Sequence, residues 1–209
     1  MVKKDKWEKY KEKNSVIGQP EKELVALVDS NSLNGFNVLE LGCWDGRNTF
    51  FLASKGFKVY SIDNSRVMLD QVKNRAIDKN LIKNIILSKG NLSSIKFPDN
   101  NFDLILCCVY IFHEIGIGGV GNIINEAKEH LTDKGMVYFS FFSQMEGTRM
   151  EEGKYYPSKE EILNHFGRGW KIFKVKNKIL EHKHSFNNSK IEILHKHNIC
   201  HLFIVCTKH

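Results

Sequence analysis

The sequence feature that most constrains the fold is a pair of apolar runs, each ending on an acidic residue. The first run, VLE, ends at Glu40 and opens into the glycine-punctuated loop LGCWDG, which the helix-like RNTFFLASKG follows. The second run, VYSID, ends at Asp63, 23 positions after Glu40. Strand, tight loop, helix, strand and acid is the order in which a parallel α/β sheet holds a nucleoside-bearing cofactor. The pattern therefore predicts an α/β fold and a cofactor site.

Alternation of strand and helix patterns continues along two thirds of the chain and predicts a parallel sheet with helices on both faces. Further strands are expected at NIILSKGN, at the continuously apolar FDLILCCVYI and at GMVYFSFFS, with helices at VMLDQVKNRAIDKN, NIINEAKEHL and KEEILNHF. Ser65 is expected to cap the first of these helices. The tail alternates as two strands around SFNNSK, which predicts an antiparallel C-terminal β-hairpin.

The length of the chain and its charge limit the classes of protein to which it could belong. A chain of 209 residues is expected to form one domain. No apolar run approaches the roughly 20 residues that cross a bilayer, and the charged N-terminus has no signal core, which favours a cytoplasmic protein without membrane contact. The net charge is +7, yet the lysines are mixed with acids, which argues against a nucleic-acid partner without excluding one. Five cysteines without a CxxC pair fit reduced thiols and no structural zinc site.

A dinucleotide-binding GxGxxG is missing after the first strand, where the chain reads GCWDGR. The pattern does occur at Gly116, Gly118 and Gly121, after the fourth predicted strand, and is interpreted as a flexible loop. A nicotinamide oxidoreductase is therefore a weak alternative.

The acid, glycine loop and second acid together resemble the class I S-adenosylmethionine-dependent methyltransferases over about residues 35–142. The resemblance implies a Rossmann-like, mostly parallel sheet of seven strands with an antiparallel C-terminal hairpin. It implies S-adenosylmethionine as the methyl donor and S-adenosylhomocysteine as the product. Within the superfamily the chain is most similar to small tellurite-resistance-type methyltransferases, because of its length, GCWDGRNTFFLASKGFKVYSID and FDLILCCVYIFHE.

The same resemblance assigns cofactor-binding residues. The first motif supplies Glu40, Gly42, Cys43, Trp44 and Gly46, with Trp44 standing where the family usually has its middle glycine. The other assigned residues lie at or just after the ends of the next three strands: Asp63, Asn64, Asn91, Leu92, Cys108 and Val109. Asp63 would bind the ribose, and Asn91 and Leu92 would border the adenine. Cys108 and Val109 would lie near the methionine moiety.

Histidines are the candidate catalytic residues. His113 follows the fourth predicted strand, in a loop that often faces the acceptor in this fold, and a helix-capping or core-edge role is its alternative. His182 and His184 lie on the terminal hairpin, where basic residues have been linked to the acceptor in the resembled subgroup. A histidine can take a proton at neutral pH, which suits a general base. The histidine-rich tail has two other interpretations, a solvated sheet face and a metal site. We expect no metal, because displacement at a sulfonium carbon requires none.

The chain is thus interpreted as a single methyltransferase domain, residues 1–209, that methylates a small molecule by in-line displacement. Residues 1–34 would form a helical lead-in and a candidate lid, 35–142 the cofactor-binding core, and 143–209 the acceptor side with the terminal hairpin. The alternatives are an RNA or protein methyltransferase and a non-catalytic S-adenosylmethionine-binding module. A monomer or a homodimer is expected.

Overall fold

The computed structural model describes residues 17–33, 35–109, 111–143, 154–185 and 192–207, with the backbone alone for 180–185 and 192–197. The elements alternate as the sequence predicted. The helices are α1 (Lys22–Asp29), α2 (Arg47–Ser54), α3 (Arg66–Asp78), α4 (Ile111–His130) and α5 (Lys159–Leu163). The strands are β1 (Asn37–Leu41), β2 (Lys58–Asp63), β3 (Ile85–Lys89), β4 (Phe102–Cys108), β5 (Leu131–Ser143), β6 (Trp170–Ser185) and β7 (Glu192–Cys206).

One seven-stranded sheet has the order β3-β2-β1-β4-β5-β7-β6. The first five strands of this order are parallel, and β7 and β6 are antiparallel to their neighbours. The predicted α/β fold and its terminal hairpin are therefore confirmed. Strand order reverses between β1 and β4, and in an open parallel sheet the crevice for a ligand lies at the carboxyl ends of the strands at that point.

Apolar side chains cover both faces of the sheet. One cluster packs α1, α2 and α3 on residues such as Val38, Leu106 and Tyr138. The other packs α4 and α5 on residues such as Leu39, Ile105 and Phe139. The side chains of successive residues in β1 and β4 thus pack alternately into the two apolar clusters. This explains why the sequences of both strands are continuously apolar. Within the described part of the chain, no helix is long and apolar enough to cross a bilayer.

Local signals set several helix ends. The hydroxyl of Ser65 accepts a hydrogen bond from the backbone N–H of Met68 at 3.4 Å, so the predicted cap of α3 is confirmed. Ser158 and Glu161 form a capping box at the start of α5.

The interpretation of the segment around Gly116 as a flexible loop is wrong. These glycines lie inside α4, which begins at Ile111 and not near Asn122, and only Gly116 departs from helical geometry, with φ 63° and ψ −178°. That combination is open to glycine alone, so the helix kinks there and continues. Helical i, i+4 packing of the apolar residues Phe112, Val120, Ile123 and Ile124 on the core outweighs the low helix propensity of glycine.

Candidate active site

A cavity of about 210 Å³ opens at the carboxyl ends of β1, β2 and β4. On the same measure one water molecule needs roughly 10–15 Å³, so the space suits an organic ligand. Eighteen residues line the cavity, and they include all but one of the cofactor-binding residues predicted from the sequence: Glu40, Gly42, Cys43, Trp44, Asp63, Asn64, Asn91, Leu92, Cys108 and Val109. Gly46 is the exception; it holds the turn behind the lining residues, with φ 84°.

The glycine loop follows β1 and is held close to its neighbours. Gly42 has φ 75°, and a Cβ built there would lie 2.1 Å from Cδ1 of Ile111, so a side chain has no room. Trp44 adopts φ 48°, a left-handed conformation that costs a non-glycine residue roughly 1–2 kcal/mol. The guanidinium of Arg47 lies 5.4 Å from the centre of the Trp44 ring, which places a cation against one indole face.

Asp63 ends β2 and fixes the loop of the neighbouring strand. Its Oδ2 accepts a hydrogen bond from the backbone N–H of Trp44 at 3.1 Å, and its Oδ1 accepts one from Ser65 N–H at 2.9 Å. Both oxygens of the Asp63 carboxylate are thus engaged by backbone N–H groups of the two loops beside it. Asp63 therefore positions the glycine loop and also lines the cavity.

Glu40 is the penultimate residue of β1, is almost fully buried and also lines the cavity. The Thr49 hydroxyl donates a hydrogen bond to its Oε2, and the Ser61 hydroxyl donates a second at 3.4 Å. Burial raises the pKa of Glu40 to about 7, although these hydrogen bonds and the charge of Arg47 oppose the rise. Burial thus favours the protonated form of the Glu40 carboxyl over the ionised form.

Asn91 follows β3 at the edge of the cavity. Its Oδ1 accepts a hydrogen bond from Ser93 N–H at 3.1 Å and caps the short 3₁₀ turn Leu92–Ser94. Gly90, directly before it, donates its N–H to the carbonyl of Asp63 at 3.0 Å. The ends of β2 and β3 are thereby tied together, and Asn91 and Leu92 are brought to the same cavity as Asp63.

Eight further lining residues were not predicted: Asp45, Arg47, Asn48, Met68, Ser93, Ile111, Glu114 and Ile115. Three of them bind the segment before α1. Asp45 Oδ2 accepts Gly18 N–H at 2.7 Å, Asn48 Oδ1 accepts Glu21 N–H at 2.9 Å, and Arg47 pairs with Glu21 at 3.0 Å. These partners lie 26 or 27 residues away along the chain, so the DGRN stretch alone did not predict the contacts.

Charge in the cavity is mostly negative. Four acidic side chains line it, on Glu40, Asp45, Asp63 and Glu114, against one cationic side chain among the lining residues, Arg47. Lys154 pairs with Glu114 at 2.6 Å and offsets part of this charge at the rim. Such a surface favours a ligand that carries net positive charge.

The three candidate catalytic histidines lie in different places. His113 is in the first turn of α4, nearly buried, and is not among the cavity-lining residues. Its Nδ1 makes a 2.5 Å hydrogen bond with the Tyr155 carbonyl, and its ring packs on Phe142 and Tyr156. His182 and His184 belong to β6, where the backbone of His182 pairs with that of His195, and their side chains lie outside the described residues.

Comparison with known proteins agrees with this geometry. Residues 38–135 match the family described as "Methyltransferase domain". The cypemycin N-terminal methyltransferase of a Streptomyces species is 35% identical over 83 residues, 39% of this chain and 32% of that protein. The ubiquinone biosynthesis O-methyltransferase of Pasteurella multocida is 27% identical over 119 residues, 53% of this chain and 48% of that protein. The chain thus aligns with less than half the length of either relative.

The crystal structure of TehB from Haemophilus influenzae superimposes with a TM-score of 0.70 at 18% identity, covering 95% of this chain and 65% of that one. At this identity the likeness establishes a shared fold. Residues 38–135 are thus similar to a methyltransferase domain, and the fold built around them is one that S-adenosylmethionine-dependent methyltransferases of known structure share.

Proposed function

We propose that this protein binds S-adenosylmethionine in the cavity and transfers its methyl group to a small-molecule acceptor, releasing S-adenosylhomocysteine. The observation that carries the proposal is the pair of carboxylates, Glu40 and Asp63, at neighbouring strand ends on either side of a glycine loop. A ribose offers two hydroxyls to such an acid, and a sulfonium supplies the positive charge that the acid-rich cavity favours.

The donor would lie along the cavity wall that the predicted cofactor-binding residues form. Asp63 and Asn64 would bind the ribose, and Asn91 with Leu92 would border the adenine. The glycine loop from Gly42 to Gly46 would pass beneath the nucleoside with Cys43 and Trp44 in its wall. Cys108 and Val109 would face the methionine part of the donor. Asp63 is the strongest of these assignments, because it touches the cavity and holds the loop at once.

The acceptor would approach above the ends of β4 and β5. An apolar cluster of Val109, Phe142 and Ile199 lies there, with Tyr156 packed against it. This composition supports an acceptor with an apolar or aromatic part, held in line with the methyl group. Orientation and exclusion of water can contribute about 7–11 kcal/mol to such a displacement.

A histidine base remains part of the proposal for acceptors that are protonated at neutral pH. His113 stands beside the apolar cluster, and its Nδ1 is engaged by the Tyr155 carbonyl, so Nε2 would be the atom that receives a proton. His182 and His184 are alternatives from the terminal hairpin. An acceptor that is already ionised, such as a thiolate, would need no base.

The relatives suggest acceptor classes without assigning one. One is named for the methylation of the N-terminus of cypemycin and the other for ubiquinone biosynthesis. We favour a small molecule, because the cavity is compact and the described residues carry no added nucleic-acid-binding domain. A protein or RNA acceptor is the second candidate, and salt-dependent retention of RNA would distinguish it.

Calorimetric titration with S-adenosylmethionine, S-adenosylhomocysteine and NADH tests donor binding directly. We expect both adenosyl compounds to bind and the dinucleotide to give no heat of binding. An acceptor screen should then produce S-adenosylhomocysteine only when an acceptor is present. Donor binding without turnover on any acceptor would favour a non-catalytic binding module. No binding of either adenosyl compound would overturn the proposal.

Two further expectations belong to the proposal. We propose a cytoplasmic protein, which fractionation of cells that express the full chain would test. We also propose a monomer or a homodimer, which light scattering after size-exclusion chromatography would distinguish.

A further inference from the structure

Strand β6 forms one edge of the sheet. It comes last in the strand order, and among the described strands only β7 pairs with it. Every residue from Lys171 to Ile179 is exposed. The outer side of an edge strand presents backbone N–H and C=O groups that can pair with another extended chain. The edge of β6 is therefore a place where a further strand can join the sheet.

One face of β6 carries exposed apolar side chains. In the register with β7, Ile172 pairs with Ile204 and Val175 with Leu202, and both partners belong to the core that α4 and α5 cover. The side chains of Ile172 and Val175 are 50% and 38% exposed, and Ile179 on the same face is 52% exposed. In the part of the chain that the structure describes, four of the eight exposed large apolar residues lie between positions 172 and 179, so they form a patch.

The opposite face of β6 carries a row of lysines. Lys174 pairs with Phe203 in the register and Lys176 with His201, on the side of the sheet that α1 covers. Glu23 of α1 pairs with both, at 3.8 Å from Nζ of Lys174, while the segment 170–179 contains no acidic residue. One carboxylate against four cations leaves a surplus of positive charge on this face. The row consists of Lys171, Lys174, Lys176 and Lys178.

This charge disfavours a second copy of the chain at the edge. Two β6 strands related by a two-fold axis would place the lysine row of one opposite the lysine row of the other, on the same face of the joined sheet. Like charges in that position destabilise a strand pair. Lysines and bulges protect edges from pairing with themselves, and β6 has both, because its register with β7 shifts between Ile172 and Lys174. Such protection explains the lysines but not the exposed apolar face.

We propose that the edge of β6 binds an extended segment of a partner protein in which acidic and apolar residues alternate. The segment adds to the sheet as an eighth strand. Its acidic side chains lie beside the lysine row, and its apolar side chains lie beside Val175 and Ile179. Main-chain hydrogen bonds supply affinity in such a complex, and the alternate side chains supply specificity. Because the bulge at Phe173 interrupts regular pairing, the added strand runs along residues 174–179.

This surface is separate from the donor cavity. In the sheet, β5 and β7 lie between β6 and β4, whose carboxyl end reaches the cavity. Among the described residues, those that line the cavity include none from β6 or β7. The inference therefore goes beyond the proposed function and does not depend on it. Failure of donor binding and failure of peptide binding are separate results.

Fluorescence anisotropy with labelled synthetic peptides tests the surface on the full chain, without donor or acceptor. The probe is a peptide of alternating glutamate and valine. One control has the same composition with all glutamates first, and the other alternates lysine and valine. We expect the probe to bind at least about tenfold more tightly than either control, because only the probe places acids on one face and valines on the other. Equal affinity for the two acidic peptides, or no binding of the probe, would overturn the proposal.

Two variants test the two faces of the strand. Lys178→Glu reverses one charge of the lysine row, and Ile179→Asn removes one side chain of the apolar patch. Each should raise the dissociation constant for the probe about fivefold, since each replaces a favourable cross-strand pair. Lys73→Glu, at an exposed position of α3, changes the net charge as Lys178→Glu does and should bind as the wild type. Equal losses in Lys178→Glu and Lys73→Glu would reduce the effect to overall charge and contradict strand addition.

Hydrogen exchange locates the contact. The backbone amides of residues 174–179 should exchange more slowly with the probe bound, while those of α3 should not change. Slowing confined to other segments would contradict the assignment to β6. Light scattering of the free protein tests the competing occupant. A homodimer that Ile179→Asn dissociates would assign this edge to a second copy and overturn the proposal.

Discussion

The carboxylate of Asp63 and the backbone N–H of Trp44 are joined by a 3.1 Å hydrogen bond across two neighbouring strand ends. Trp44 holds a left-handed backbone that an L-residue rarely adopts, with φ 48°. A charge-assisted hydrogen bond of about 1.5–3 kcal/mol is large enough to offset the roughly 1–2 kcal/mol that this conformation costs. Asp63 thus shapes the glycine loop before any ligand is bound.

Replacing Asp63 should therefore weaken donor binding in two ways. Asp63→Ala removes the proposed ribose contact and the acceptor that holds Trp44, so we expect the dissociation constant for S-adenosylmethionine to rise at least tenfold, about 1.4 kcal/mol. Calorimetric titration measures the change. Asp70→Ala, on the exposed side of α3, is the matched control and should bind as the wild type. An unchanged affinity in Asp63→Ala would move the ribose site elsewhere.

Much of this site could be predicted from the sequence because its residues are tied to strand ends. Glu40 and Asp63 lie in the last two residues of their strands and Asn91 just after β3, and parallel strands bring such positions to one edge of the sheet. Asp45, Arg47 and Asn48 were missed because their partners, Gly18 and Glu21, lie about 27 residues away, and tertiary contacts of that kind leave no periodic signal.

The interpretation of α4 failed for a related reason. Four glycines within six residues indicate a loop by propensity, yet the apolar residues on both sides of the kink at Gly116 are buried as helical faces. His201 was noted only as part of a histidine-rich tail. Its burial against Tyr138 depends on the pairing of β5 with β7, which the sequence of neither strand specifies.

Glu40 should make the stability of the protein depend on pH. Its folded-state pKa of about 7 exceeds the ordinary 4.5, so the folded protein holds a proton that the unfolded chain has released between these values. This contribution to stability is fully present below about pH 4.5 and is lost as the pH rises through about 7, to a total of up to about 3 kcal/mol. In Glu40→Gln that part of the slope should vanish in urea unfolding at several pH values. A slope unchanged by the substitution would contradict the burial argument.

Donor binding should release protons from the same carboxyl. A cationic ligand in the cavity favours the ionised form of Glu40, so the affinity for S-adenosylmethionine should rise between pH 5 and pH 7 and then level off. Calorimetry at pH 6.5 in buffers of different ionisation enthalpy should detect between zero and one proton released per donor. Glu40→Gln should release none from this site. Equal proton release by both proteins would assign the effect to another group.

Trp44 should report on occupancy of the cavity. Its indole is part of the cavity wall and has the Arg47 guanidinium 5.4 Å from its ring centre, so a bound donor changes its surroundings. In a Trp7→Phe, Trp170→Phe background, titration with S-adenosylmethionine should change the emission with the dissociation constant that calorimetry gives. Trp44→Phe in the wild-type background should lose that signal. A saturating donor that leaves Trp44 emission unchanged would place the indole away from the bound ligand.

The kink of α4 should be required for the shape of the cavity. Gly116 has φ 63° and ψ −178°, and the residues just before it, Ile111, Glu114 and Ile115, line the cavity. Gly116→Ala is expected to destabilise the fold by about 1–3 kcal/mol and to weaken donor binding, because alanine does not adopt this conformation without strain. Gly118→Ala is the matched control: the site is open, the backbone is helical, and we expect a gain of about 0.5–1 kcal/mol with unchanged affinity. Urea unfolding and donor titration measure both effects, and equal behaviour of the two variants would show that the kink is dispensable.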